Sequence, residues 1–146
     1  MTTRVLIPSG ALGLNYDQVA LDRGIAMNPD IIAIDGGSTD SGPAYLGRGV
    51  SKYSRASTKI EWRGLMEARA KAGVPLVIGT SGTCGADDAV DWMLDITREI
   101  AANLRQNLKI AVLRCSQDTA VMRTAFCDGR ITPLPAAPKV STQDFT

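Results

Sequence analysis

Histidine is absent from the 146 residues. That removes the usual general base near neutral pH and the commonest metal ligand. Acid–base chemistry then falls to a carboxylate or a lysine with a shifted pKa. Cysteine is scarce. Cys84, Cys115 and Cys127 stand far apart with no CxxC, which argues against a zinc cage and a disulfide framework. A reducing cytoplasm is the simplest compartment for such a chain. No apolar run approaches the ~20 residues of a membrane span. Met1-Thr2-Thr3-Arg4 leads directly into a strand of about five residues, too short for the apolar part of a signal peptide. Charge of one sign is also lacking: 16 Lys and Arg face 15 Asp and Glu, a formal net charge of +1. Neither nucleic acid nor a membrane surface is indicated as a partner. Internal repeats and low-complexity blocks are missing too.

Three glycine-rich turns are present, each after a short apolar run. Val5-Leu6-Ile7-Pro8 precedes Ser9-Gly10-Ala11-Leu12-Gly13. Ile31-Ile32-Ala33-Ile34 precedes Asp35-Gly36-Gly37-Ser38-Thr39-Asp40. Leu76-Val77-Ile78 precedes Gly79-Thr80-Ser81-Gly82-Thr83-Cys84-Gly85. Such runs read as buried parallel strands, and a fourth, Ile110-Ala111-Val112-Leu113, reads the same way.

Helices are expected from Tyr16 to about Ala26 with Asn15 as N-cap, from Ser57 to Ala72, from Ala86 to Leu104, and from Asp118 to Phe126. Trp62, Leu65, Met66 and Ala70 mark the inner face of the second. Val90, Met93, Ile96 or Thr97, Ile100 and Leu104 mark that of the third. Trp62, Trp92 and Met93 read as core. Residues 36–54 show no clean period and read as a long loop, a type that is usually functional or disordered. The order is β-α-β-loop-α-β-α-β-α. It predicts an α/β fold, a Rossmann-like three-layer domain with a mainly parallel sheet of at least four strands and right-handed crossovers. Residues 1–132 form the expected ligand-binding domain. Residues 133–146, rich in proline, form an arm or linker.

In such a sheet the turns open on one rim, where α/β proteins bind ligands. Residues 115–118, after the fourth strand, are expected there too. Ser9, Gly10 and Gly13 precede a helix and suit a phosphate or carboxylate, or else make a plain tight turn. Neither GxGxxG nor a P-loop lysine is present. Asp35 ends a buried strand and is costly there unless paired or solvated. With Asp40 it is a candidate to orient hydroxyls, hold a cation or move a proton; the alternative is an Asx turn. Two carboxylates are too few to define a metal site, and the residues identify no cofactor. Gly36, Gly37, Ser38 and Thr39 are candidate ligand contacts, as are Thr80, Ser81, Gly82 and Thr83. Lys52 and Arg55 would neutralise an anion, or else lie on a solvated face. Cys84 stands near a helix start, where a thiol pKa falls. No histidine is there to partner it, so it reads as a small packed residue more readily than as a nucleophile.

The runs Val5–Gly13 and Ile34–Pro43, Ser51-Lys52-Tyr53-Ser54-Arg55, Gly79–Thr83 and Asp91-Trp92-Met93-Leu94 resemble the N-terminal part of the acyclic terpene utilisation AtuA-like family. The likeness extends from about residue 4 to about residue 135, and the Asp-Gly-Gly-Ser-Thr-Asp run is its most specific part. It implies a catabolic enzyme or enzyme subunit acting on an anionic metabolite of the organic-acid or acyl-CoA type, with a lyase or isomerase reaction the most plausible. It leaves the chemistry open. Relatives are mostly longer, so association with a second copy or a second chain is expected. The alternatives are a non-catalytic nucleotide- or acyl-CoA-binding module that docks a partner, and a purely structural half-domain.

Overall fold

The computed structural model describes residues 2–37 and 41–145. The candidates Ser38, Thr39 and Asp40 lie outside the described residues. Two compact units divide the chain, Met1–Arg114 and Cys115–Thr146.

The first unit holds strands β1 (Val5–Leu6), β2 (Ile31–Asp35) and β3 (Leu76–Gly79). They form a parallel sheet in the order β1-β2-β3. Val5 registers with Ile31, Ile32 with Leu76, and Asp35 with Gly79. Helices α1 (Gln18–Ala26), α2 (Gly42–Arg48), α3 (Arg55–Ala72) and α4 (Asp87–Leu104) complete the unit.

Successive residues of a strand face opposite sides. Leu6, Ile34, Leu76 and Ile78 share one face, and it is covered. Leu21 of α1, Trp62, Leu65 and Met66 of α3, and Met93, Ile96 and Ile100 of α4 all join this one core. Two of these helices follow from the strand order: α1 and α3 lie in successive right-handed crossovers to the same side, each returning a helix to the same surface, while α4 follows β3 and packs on α3. The opposite face keeps Val5 52%, Ile7 65% and Val77 48% exposed. The described sheet is therefore covered by helices on one side, not enclosed as the middle of three layers.

The expected fourth strand does not form. Residues 110–113 lie outside the sheet, with Leu113 81% exposed. An apolar run shows what could be buried, but strand formation also needs a partner in register, and composition does not reveal whether the run docks on the free edge of β3. The described sheet thus has three strands.

Local signals explain the helix bounds. Asp17, not Asn15, caps α1: its carboxylate accepts the Ala20 N–H at 2.7 Å, while Asn15 is left-handed at φ 64°. Helix α3 starts two residues earlier than expected, because Ser54 accepts the Ser57 N–H. Its buried face is Thr58, Trp62, Leu65 and Met66, and Ala70 is exposed. Part of the expected loop at 36–54 is α2, with Pro43 in its first turn and Gly49 closing it at φ 63°.

The second unit contains α5 (Thr119–Cys127). Asp118 caps it by accepting the Ala120 and Val121 N–H groups. A 3-10 helix at Thr142–Asp144 carries a capping box between Ser141 and Asp144. The Phe126 and Phe145 rings stand 5.4 Å apart.

Candidate functional site

The three glycine turns meet at the carboxyl ends of the strands. The Leu12 N–H donates to the Asp35 carbonyl at 2.8 Å, and the Gly36 N–H donates to the Gly79 carbonyl at 2.7 Å. Gly37 lies flat against Thr83, where any side-chain carbon would strike the Thr83 backbone. That close approach is what glycine permits there.

Asp35 is half-buried at the end of β2. One oxygen, Oδ1, accepts the Gly37 N–H at 3.0 Å and the Thr80 hydroxyl. These bonds supply the pairing that a carboxylate at a strand end requires. The Asx-type contact to Gly37 matches the turn reading of this residue.

Thr83 is fully buried, and its hydroxyl accepts the Lys52 N–H at 3.0 Å and meets the Ser51 hydroxyl at 3.3 Å. It sits at φ 83°, where a β-branched residue is strained. Strain of this kind persists only where neighbours fix it, and it clusters at binding sites. Ser81 is buried, Gly82 lies against Ala89 of α4, and Cys84 is half-buried with a free thiol.

The first turn is satisfied from within the chain. Glu61 of α3 accepts the Gly13 N–H at 2.7 Å through Oε2 and the Asn15 N–H at 3.3 Å through Oε1. Tyr16 donates its hydroxyl to the Glu61 carbonyl at 2.9 Å. Burial, then the Glu61 and Glu67 charges, raise the Tyr16 pKa. Gly13 is at φ 99° with the Tyr53 ring against it, so glycine is required on two counts. Ser9 donates to the Ala11 carbonyl at 3.3 Å, and nothing crowds Gly10.

Beside these turns opens a cleft of about 320 Å³, lined by Gly49, Val50, Ser51, Tyr53, Arg55, Asp88, Ala89 and Trp92. The segment between α2 and α3 makes one wall, and the first turns of α4 the other. Arg55 Nη1 bonds Glu99 at 2.8 Å, and Lys59 bonds the same carboxylate. Two cations on one carboxylate leave this wall positive. The Lys59 and Arg55 bonds hold the Glu99 carboxyl below the usual carboxylate range. Lys52 Nζ donates to the Ser41 hydroxyl at 3.2 Å and stands 5.7 Å from the Tyr53 ring centre. At the far side of α4, Arg114 pairs with Asp91 and reaches Asp87 at 3.9 Å.

The structure thus gathers Gly13, Asp35, Gly36, Gly37, Thr80, Thr83 and Lys52 at one rim, and of the expected ligand contacts it sets Arg55 in the cleft wall. Residues 115–118 belong to the second unit. Of the residues lining the cleft only Arg55 is an expected ligand contact; Ser51, Tyr53 and Asp88 are not, and Trp92 is expected in the core. Trp92 precedes the buried Met93 on α4; it is partly buried against the core and also lines the cleft. A helical wheel holds that signal; treating every tryptophan as core hides it. Among the described residues no group of three or more His, Cys, Asp or Glu is placed to hold a metal. No helix among them is long and apolar enough to cross a membrane. Comparison with family models, with curated proteins and with solved structures finds no match to this chain.

Proposed function

We propose that this chain is a small-molecule metabolic enzyme or enzyme subunit that takes an anionic metabolite into the cleft at the carboxyl rim. The observation that carries the reading is the Arg55 wall. Its counter-ion Glu99 is shared with Lys59, so positive charge is left over for a ligand carboxylate or phosphate. The position supports it further, since ligands of parallel α/β sheets sit outside the carboxyl ends of the strands. Tyr53 and Trp92 supply the apolar wall such sites use. The resemblance of the glycine turns to the AtuA-like family adds a catabolic role on an organic acid or acyl-CoA compound. In this reading Lys52 adds a second cation at the rim, and Asp35 with Asp40 orients the ligand or moves a proton.

Trp92 gives a direct test. A panel of organic acids titrated into the chain should quench its fluorescence saturably, and Trp92→Phe should abolish the signal. Trp62, buried with its Nε1 donating to Thr97 at 2.8 Å, serves as the constant background. Absence of quenching by every anion up to 10 mM (about −2.7 kcal/mol of binding free energy) would reject the reading. Turnover is then sought by following the bound acid by NMR.

A second reading, binding without catalysis, draws on one observation. Asp35 is engaged by Gly37 and Thr80 and does not line the cleft. Binding without any product in the NMR assay favours it.

A further inference from the structure

We infer that the ligand of this cleft is a small carboxylic acid that also carries a hydrogen-bond donor, a hydroxyl or an ammonium group, next to its carboxylate. The inference rests on the anion-binding reading and narrows it, because the cleft is electrostatically two-sided. Arg55 stands on one wall and Asp88, in the first turn of α4, on the other. A guanidinium offers five N–H donors, and the bond to Glu99 is made through Nη1. Arg114 is drawn to Asp91 and Asp87 and acts on Asp88 only through its charge at longer range.

A plain monoanion gains from Arg55 but is repelled by Asp88. A donor group on the same ligand turns that repulsion into a charge-assisted hydrogen bond, which is roughly twice as strong as a neutral one. Ser51, on the same wall as Arg55, adds a hydroxyl that also meets Thr83, and Tyr53 and Trp92 offer surface to an apolar body. Specificity of this kind uses both a gain for the right ligand and a penalty for the wrong one.

Size narrows the class again. A volume of about 320 Å³ lies at the small end of ligand sites, which span about 300–1,000 Å³. A free hydroxy or amino acid fits within that space, whereas most of a coenzyme A thioester, several times larger, would have to lie outside it.

The test uses one carbon skeleton with three substituents. The full chain is titrated with 3-phenylpropanoate, phenyllactate and phenylalanine, read by Trp92 fluorescence, and separately with coenzyme A. Phenyllactate or phenylalanine should bind at least tenfold tighter than 3-phenylpropanoate, and the tighter of the two identifies the donor. Asp88 is exposed, so Asp88→Asn keeps the fold. It should reduce the preference to threefold or less without weakening 3-phenylpropanoate. Equal affinity for all three acids overturns the inference while leaving the anion-binding reading in place. So does a preference that survives Asp88→Asn, or coenzyme A binding more tightly than any of the acids. No binding by any of the four removes the anion-binding reading itself.

Discussion

Glu61 holds the amide of Gly13 at 2.7 Å, so the first glycine turn already coordinates a carboxylate that belongs to the chain. The same side chain takes the Asn15 amide. A glycine turn that looks made for an external anion is here a socket for helix α3. It fixes the turn against which the Tyr53 ring packs, and Tyr53 in turn lines the cleft.

Glu61→Ala should therefore destabilise the chain by about 1–3 kcal/mol, the usual cost of leaving a partly buried donor unpaired. Glu61→Gln keeps one acceptor oxygen and should cost less. Urea unfolding curves for both variants decide it. Equal stability of Glu61→Ala and the parent chain would show that water replaces the carboxylate without loss.

Gly13→Ala adds a methyl group at φ 99°, directly into the Tyr53 ring. Overpacking and the left-handed backbone together should cost about 1–3 kcal/mol. Because Tyr53 is displaced, ligand quenching of Trp92 should also weaken. A variant of parent stability and parent affinity would disconnect the first turn from the cleft.

Thr83→Val preserves shape but removes the hydroxyl that accepts the Lys52 amide. We expect a loss of about 1–3 kcal/mol, with Thr83→Ser recovering most of it. Hydrogen exchange at the Lys52 amide should quicken in the valine variant alone; unchanged exchange would show that this bond does not hold the loop.

The Glu99 clamp makes stability depend on pH. Its carboxyl is held below the usual range, first by Lys59 and then by Arg55. A group whose folded pKa is lowered contributes stability that is complete above its unfolded value, about 4.3 for glutamate. That contribution is lost as pH falls through the lowered folded value. The urea midpoint of the parent chain should exceed that of Glu99→Gln at pH 7, and the gap should close below about pH 4. A gap that stays constant from pH 7 to pH 3 would contradict the clamp.

Much of this arrangement is legible in residue order. The runs at Val5, Ile31 and Leu76 become strands because each is short, apolar and followed by glycine. Helices α3 and α4 follow from their periodic stripes and from Gly73, which closes α3 at φ 70°. The rim cluster follows from parallel strands alone. Other features need long-range partners that no local pattern carries. Ile110–Leu113 has strand composition, yet it leaves the open edge of β3 unpaired. Glu61 stands 48 residues from the amide it binds, and on its own helix it is one charged residue among several. The cleft assembles from two stretches about forty residues apart, and only their packing brings Trp92 to Tyr53.

The strand order β1-β2-β3 is also the order of synthesis. Each new strand adds to the edge left by the one before, with its connecting helix laid on the same surface. No strand has to wait for a later one to be inserted between it and its neighbour. Domains fold from the amino end as they emerge, and here every intermediate length is a smaller version of the finished sheet. The growing chain therefore carries one open edge forward at a time, and the rim that holds the cleft is completed last, when α4 emerges and docks on α3.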